Sequence, residues 1–584
     1  MGKALVALDT DHIKEYVFGT DRLKEIRGAS SVLDYLNRHE MKSIAKGFDA
    51  ELIYTNGGSG LFLISGEDAK KKAEIFGKKV QLAYSKKSGG TSSITYAVQS
   101  ISVPDDISED KLMNHLLENE FLLLQYRLQE AKNNSLSEIA LLSHPFIRPC
   151  DACGVEYAQH QGTKFGLSNG IKFGPKDQDS QDEDEDEDDE EDQAQFYCDS
   201  CYNKHLQDKD VKEAIKQAVR SVRRKEKVRV RDGYLWDRVI SLLQQEGYEF
   251  PSGKPLRRPK DFNVFREFGD TKNYLGLIYA DGNGMGKALM EQDTLKERCQ
   301  FASIIDDSVF KAMAVAIYKH LPIIQPQNMF PFDILLIGGD DIVMVTPAMK
   351  APDVALTIAR EFERLTKEKD PKGKGYTLSV GVVLAPIKYP FGLLQDLAEG
   401  ALKFAKKRSL LGESRINFVT VAGSISQNFD KVYQSLSQIR TKDDSDNTPE
   451  FYATLRPYSI EQFNRLLDAI RHGHELGLGR TKLHQLREAI LKRNLTTSVN
   501  DALAVLRNWR KDQREYIVNY VYTLATQHQE QSRNPDDPST WFPRVTFPWF
   551  ANDRKDAYHT TLLDFIELYD FVAEEEVEGR ADEA

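Results

Sequence analysis

The chain has 584 residues, 40% hydrophobic and 29% charged, which suits several buried cores and excludes a chain disordered throughout. Its formal net charge of −12 comes almost entirely from eleven consecutive acids at 182–192, so the overall acidity excludes no class of partner. No apolar run approaches the about 18–20 residues of a membrane span, and the chain opens straight on a strand-like run, so a cytoplasmic protein with no membrane partner is expected.

In chain order, ALVAL (4–8) reads as a strand, 29–46 as a helix, and LIYT (52–55) with LFLI (61–64) as a hairpin. A helix over 67–86, a strand SITYAVQSI (93–101) and a helix over 110–132 follow. Next come Cys150-x2-Cys153 and Cys198-x2-Cys201, separated by the acidic run, which reads as a solvated, disordered insert. Paired CxxC turns suit four thiolates on one zinc ion, a full and therefore structural coordination sphere. The fifth cysteine, Cys299, reads as a small core residue of a helix. Residues 207–268 read as mainly helical and include RSVRRKEKVRVR (220–231), either a solvated helix face or a contact for an RNA backbone.

The first order of elements then repeats. YLGLIYA (274–280) is a strand, 295–320 a helix, DILLI (333–337) and IVMVT (342–346) a hairpin, and 351–369 a helix. YTLSVGVVLA (376–385), a helix over 391–407 and RINFVTV (415–421) complete the second copy. Each copy is β-α-β-β-α-β plus a helix, a ferredoxin-like order. The fold expected is α+β, with two palm domains around a zinc knuckle and a helical segment, then an all-α C-terminal domain. The boundaries fall at 1–145, 146–206, 207–268, 269–425 and 426–584.

Aligned letter by letter, NGGSGLFLIS (56–65) lies on IGGDDIVMVT (337–346), so Ser59 and Gly60 stand where Asp340 and Asp341 stand. The first copy is therefore blank and the second acidic; Asp9 and Asp11, left at the first copy's strand end, read as capping or solvated groups. In the second copy Asp281 ends the central strand while Asp340 and Asp341 occupy the hairpin tip. Carboxylates that converge in this way repel one another and suit one or two hard cations, Mg²⁺ or Mn²⁺. Two such ions clamp the attacking and leaving oxygens of a phosphoryl transfer. Gly338 and Gly339 allow a tight turn and close approach of a phosphate. The turn after Asp281 (Gly282, Asn283, Gly284, Gly286) offers backbone N–H groups to a nucleotide triphosphate, without being a Walker loop. Lys406, in ALKFAK, either reaches a phosphate or complements its own helix end.

Together, Asp281 with the GGDD hairpin, ALKFAK, the blank first copy, the cysteine knuckle between copies and LKEIRGASSVLDYL (23–36) resemble the large palm-domain subunit of type III CRISPR effector complexes, the Cas-ten family. The resemblance implies polymerisation and cyclisation of ATP into cyclic oligoadenylates. One ATP would lie over the metals at Asp281, Asp340 and Asp341 with Lys406 on its phosphates, and a second toward the first palm. It also implies other complex subunits as partners, with small subunits at the C-terminal helical domain, and switching by target RNA bound to guide RNA. Many members begin with an HD nuclease domain, which is not expected here because the first palm strand starts within ten residues. Two other readings stand beside it: a diguanylate-cyclase-like enzyme and a non-catalytic scaffold.

Overall fold

The computed structural model describes residues 2–101, 120–134, 147–163, 166–167, 195–252, 255–268, 273–292, 294–323, 328–409, 412–421, 429–440, 450–492, 495–522, 524, 545–551 and 557–572. The acidic run 182–192 lies outside them. Two compact units result: Met1–Ser241 with Lys287–Ser303 and Leu335–Gly339, and Leu242–Gly286 with Ile304–Ile334 and Asp340–Ala584.

In the first unit, β1 (Lys3–Thr10), α1 (Leu23–Tyr35), β2 (Glu51–Asn56), β3 (Ser59–Ser65), α2 (Ala69–Ser88), β4 (Ile94–Ile101) and α3 (Glu120–Asn134) follow one another. The sheet order is β2-β3-β1-β4, with β1 antiparallel to both neighbours. Ala4 to Leu8 are all buried, because each face of this central strand is covered. Leu5, Ala7, Leu61, Leu63, Ala97 and Ile101 share a core with Phe121, Leu124 and Leu128, the i, i+3, i+7 stripe of α3. On α2, Phe76 meets Phe62 edge-on at 5.0 Å. Such side chains contribute roughly 1.5–3 kcal/mol each on full burial.

The helix expected over 29–46 begins earlier, at Leu23, and carries a π-helical turn at Leu36–Glu40. Gly28, which resembles a helix breaker in sequence, sits in the middle of α1 because a second helix crosses there. A Cβ on it would lie 2.0 Å from the carbonyl oxygen of Lys204. Lys204 belongs to α4 (Asp199–Arg223), and one residue before Gly28 the buried Arg27 grips Asp208 of α4 in a fork, Nε to Oδ1 at 2.6 Å and Nη2 to Oδ2 at 3.1 Å. This contact explains the LKEIRG segment: a glycine for close approach, a buried ion pair for register. The basic stretch departs from expectation. Helix α4 stops at Arg223 and Lys225 turns the chain with φ +61°, so 224–231 is no helix face.

The second unit holds α5 (Leu242–Glu246 of a helix that starts at Leu235), β5 (Tyr274–Gly282), most of α6 (Leu295–His320), β6 (Asp333–Gly338, of which Leu335–Gly338 group with the first unit), β7 (Asp341–Pro347), α7 (Ala351–Lys369), β8 (Leu378–Pro386), α8 (Phe391–Arg408) and β9 (Arg415–Thr420). The sheet runs from a short strand at Tyr458–Ser459 through β9, β8, β5 and β7 to β6. Its core order repeats that of the first sheet, with β9 added parallel to β8. Cys299 is exposed, contrary to expectation, because the buried face of α6 is set by its neighbours Arg298 and Phe301.

The C-terminal region is not all-α. A five-stranded sheet forms from Gln438–Arg440, Glu450–Tyr452, Ala557–His559, Trp549–Ala551 and Val545–Thr546, beside helices Ile460–Glu475, Arg480–Ile490 and Leu495–Arg507. Strands of two or three residues are too short to show an alternating pattern in sequence. Buried Arg456 anchors this region, pairing with Asp564 at 3.1 Å and Glu567 at 3.3 Å and donating to the Phe418 carbonyl on β9 at 2.8 Å. Among the described residues no helix is long and apolar enough to cross a membrane.

Candidate active site and thiolate cluster

The GGDD hairpin turns at Gly339, φ +62°, and Asp340, and β7 begins at Asp341. Ile342 pairs with Ala280, so the next rung of the ladder sets Asp341 opposite Asp281. Asp340 folds over the end of β5: a Cβ on Gly282 would lie 2.5 Å from its Oδ2, and only glycine leaves that space. The hairpin thus brings Asp340 beside Asp281 and sets Asp341 opposite Asp281 in the ladder. Burial first, and then the negative charge of Asp281, push the Asp340 carboxyl up to about 7 against the pull of Lys406. Lys406, near the end of α8, donates to Asp281 Oδ2. Hard oxygen donors of this kind suit a divalent cation, but among the described residues the three are not gathered closely enough to share one as they stand.

The glycine turn is fixed from behind. Asn283 donates its backbone N–H to Thr377 O at 2.9 Å, and its side chain donates to Thr377 Oγ1 at 3.0 Å and Ser409 Oγ at 3.2 Å while accepting from Ser379 Oγ at 2.7 Å. Its side chain therefore holds the turn. Gly284, φ +66°, and Gly286 would meet nothing within 4 Å with a Cβ, which leaves open space beside their backbone.

An expected outcome follows for the metal-free protein. Asp340 binds its proton more tightly when folded than at the usual carboxylate pKa of about 3.9, so the folded state holds more protons and stability falls as pH rises from about 4 to about 7. Asp340→Asn removes that loss. Its melting temperature in chelator should exceed that of the parent at pH 8, by a margin that shrinks towards pH 4; equal melting at pH 8 would contradict the crowding.

The blank copy is less blank than its letters. Its hairpin turns at Gly57 and Gly58, φ +58° and +91°, with Ser59 opening β3. By turn position Gly57 and Gly58 therefore match Gly339 and Asp340, and Ser59 matches Asp341: the letter alignment is one residue off. Aligning identical glycines hid a turn that had moved by one position. The ladder agrees, since Asp9 pairs with Ser59 as Asp281 faces Asp341. Asp9, the counterpart of Asp281, accepts from Ser59 Oγ at 2.9 Å and from Lys132 Nζ at 2.5 Å. Lys132 lies two residues before the end of α3, as Lys406 does in α8, each in a Leu-x-x-Ala-Lys segment (128–132 and 402–406). That repeat was the sequence signal for Lys132, which sequence reasoning missed. Asp11 is buried, not solvated, and accepts from Ser93 Oγ at 2.9 Å and Thr95 Oγ1 at 2.8 Å. Within the first unit, the Gly57 turn also meets the other hairpin, a Cβ on Gly57 falling 3.2 Å from Gly339 Cα.

The four cysteines meet. The Sγ atoms of Cys150, Cys153, Cys198 and Cys201 all lie within 4.8 Å of one another. A tetrahedral zinc with Zn–S bonds of about 2.3 Å needs sulfurs about 3.8 Å apart. Each CxxC half is a knuckle with an N–H···S bond of 3.4 Å, Ala152 to Cys150 and Cys201 to Cys198, and Cys198 also caps α4. The donor set and its spacing fit a structural zinc ion.

Comparison with known proteins bears on the second copy first: residues 274–411 match the second palm domain of Cas10/Cmr2. Two solved structures resemble nearly the whole chain. One is a Csm1–Csm4 cassette in complex with pppApApA (TM-score 0.52, 13% identity, 97% of this chain and 69% of that chain). The other is a Csm1–Csm4 cassette in complex with cA3 (TM-score 0.51, 13% identity, 98% and 70%). At this identity the likeness is one of fold. No curated protein matches the sequence.

Proposed function

We propose that the chain, whose residues 274–411 match the second palm domain of Cas10/Cmr2, is a Cas10-type subunit and a metal-dependent nucleotidyltransferase that polymerises ATP and closes the product into cyclic oligoadenylates. The observation that carries this reading is the placement of Asp340 beside Asp281, with Asp341 opposite Asp281 in the ladder, inside the segment that matches the second palm domain of Cas10/Cmr2. The fold relatives that hold pppApApA and cA3 support it.

In this reading Asp281, Asp340 and Asp341 hold Mg²⁺ or Mn²⁺, which when bound neutralises and clamps the phosphate oxygens of ATP. Lys406, which donates to Asp281, would turn to the β- or γ-phosphate as a point charge for the nucleotide. The backbone at Gly284, Gly286, Gly338 and Gly339 admits the phosphates, and Asn283 fixes the turn that presents them. Each addition joins a 3′-oxygen to an α-phosphate and releases pyrophosphate. The zinc knuckle at Cys150, Cys153, Cys198 and Cys201 is structural. The chain works with other type III subunits, the region after 426 receiving small subunits, and target RNA paired to guide RNA switches it on.

The test is a base competition. With equal ATP and GTP, mass spectrometry of the products should find adenylates alone. Cyclic dinucleotides of guanine would move the assignment to a diguanylate-cyclase-like enzyme.

A further inference from the structure

The stretch 220–231 carries seven basic residues in twelve. Five of them, Arg220, Arg224, Lys225, Lys227 and Arg229, are exposed, and none has an acidic partner among the described residues. The stretch is nevertheless held in place. Arg224 closes α4 with its N–H on Arg220 O, and Val228 is only 3% exposed. Beyond it, Arg231 forks onto Asp237, Nε to Oδ2 at 2.6 Å and Nη2 to Oδ1 at 3.0 Å, with its guanidinium 4.1 Å from the centre of the Tyr234 ring. At Gly233, φ +78°, a Cβ would fall 2.9 Å from Tyr35 Cα, so the end of the stretch lies tight against α1.

Anchoring has a consequence for the charges. Lys227 and Arg229 flank the buried Val228 and are themselves exposed, with the exposed Glu226 and Val230 on their outer sides. Like charges this close along the chain repel one another at physiological salt, where the Debye length is about 8 Å. A floppy segment would spread them; this one is pinned at Val228, Arg231 and Gly233. The matching ligand is a linear row of single negative charges, and arginine forks are built for phosphate oxygens. Only Val230 is an exposed apolar side chain here, too little for a membrane surface.

We propose that residues 220–229 form a track for the sugar–phosphate backbone of a nucleic acid, read without regard to base sequence. The experiment measures fluorescence anisotropy of a labelled 20-nucleotide single-stranded RNA of mixed sequence, and of the matching DNA, on the full chain between 50 and 200 mM salt. Arg224→Gln, Lys227→Gln and Arg229→Gln combined should weaken binding of either strand about 10- to 100-fold. They should also lower the slope of log K against log salt by about 2, since each single-strand phosphate contact contributes about 0.7. Exchanging the same three residues between Arg and Lys should keep the slope. An unchanged affinity and slope in the Gln variant would overturn the proposal. So would tighter, variant-sensitive binding of a polyglutamate peptide or of phosphatidylserine vesicles, which would make the track a protein or membrane contact.

Discussion

Replacing Asp340 and Asp341 together by alanine should lower oligoadenylate formation at least about 10³-fold, some 4 kcal/mol of transition-state stabilisation, while the folded protein melts no lower than its parent. Both halves come from one geometry. Asp341 faces Asp281 across the β5–β7 ladder, and Asp340 lies over Gly282 with its carboxyl pushed up to about 7. Like charges facing each other across strands destabilise the sheet when no cation lies between them. Their removal relieves that strain and takes away the donors that would hold the metals. A fall in activity with a lower melting temperature would mark these residues as structural supports; unchanged activity would dismiss the site. The product assay and the melt are read on the same preparations.

The second large effect concerns the thiolate cluster. Cys198→Ser should remove about one zinc ion per chain and lower the melting temperature by tens of degrees, because structural zinc sites supply about 10 kcal/mol or more of folding free energy. Cys198 is both a candidate ligand and the cap of α4. The same helix carries Lys204, over which Gly28 packs, and Asp208, which Arg27 grips. Loss of the metal therefore loosens the 25-residue α4 and with it the α1 face of the first palm. Metal analysis of the purified parent and variant, with thermal melts, checks this. A zinc-free parent with an undiminished melting temperature would contradict it.

Much of this was legible in the sequence where chemistry and local pattern coincide. The acidic pair after two glycines, the aspartate at the end of an apolar strand and the two CxxC turns declare themselves by residue type; the structure gathers the four cysteines and sets the hairpin acids beside the end of that strand. Helices such as 351–369 were legible from periodicity alone. What escaped was decided at longer range. The start of α1 was misplaced because Gly28 is a packing glycine, visible as such only once α4 crosses it. The hairpin register slipped by one because Gly57–Gly58 and Gly338–Gly339 share letters while the turns centre on different positions. Lys132 escaped because its role depends on which strand end α3 reaches. The C-terminal sheet escaped because its strands are too short for any period and pair across more than a hundred residues, as Phe451 does with Tyr558.

The retained Asp9–Lys132 pair gives the first palm a share of the second palm's architecture without its hairpin acids. Gly58 and Ser59 stand at the turn positions that Asp340 and Asp341 hold in the second copy, so one copy carries hairpin carboxylates and the other does not.

The most direct test of the central claim is mass spectrometry of the products formed from ATP with Mg²⁺ or Mn²⁺, by the chain alone and by the complex reconstituted with partner subunits, guide RNA and target RNA. Cyclic oligoadenylates from the reconstituted complex are the predicted result. Their absence there, with all components present and the second palm intact, would contradict the assignment and leave the chain a scaffold.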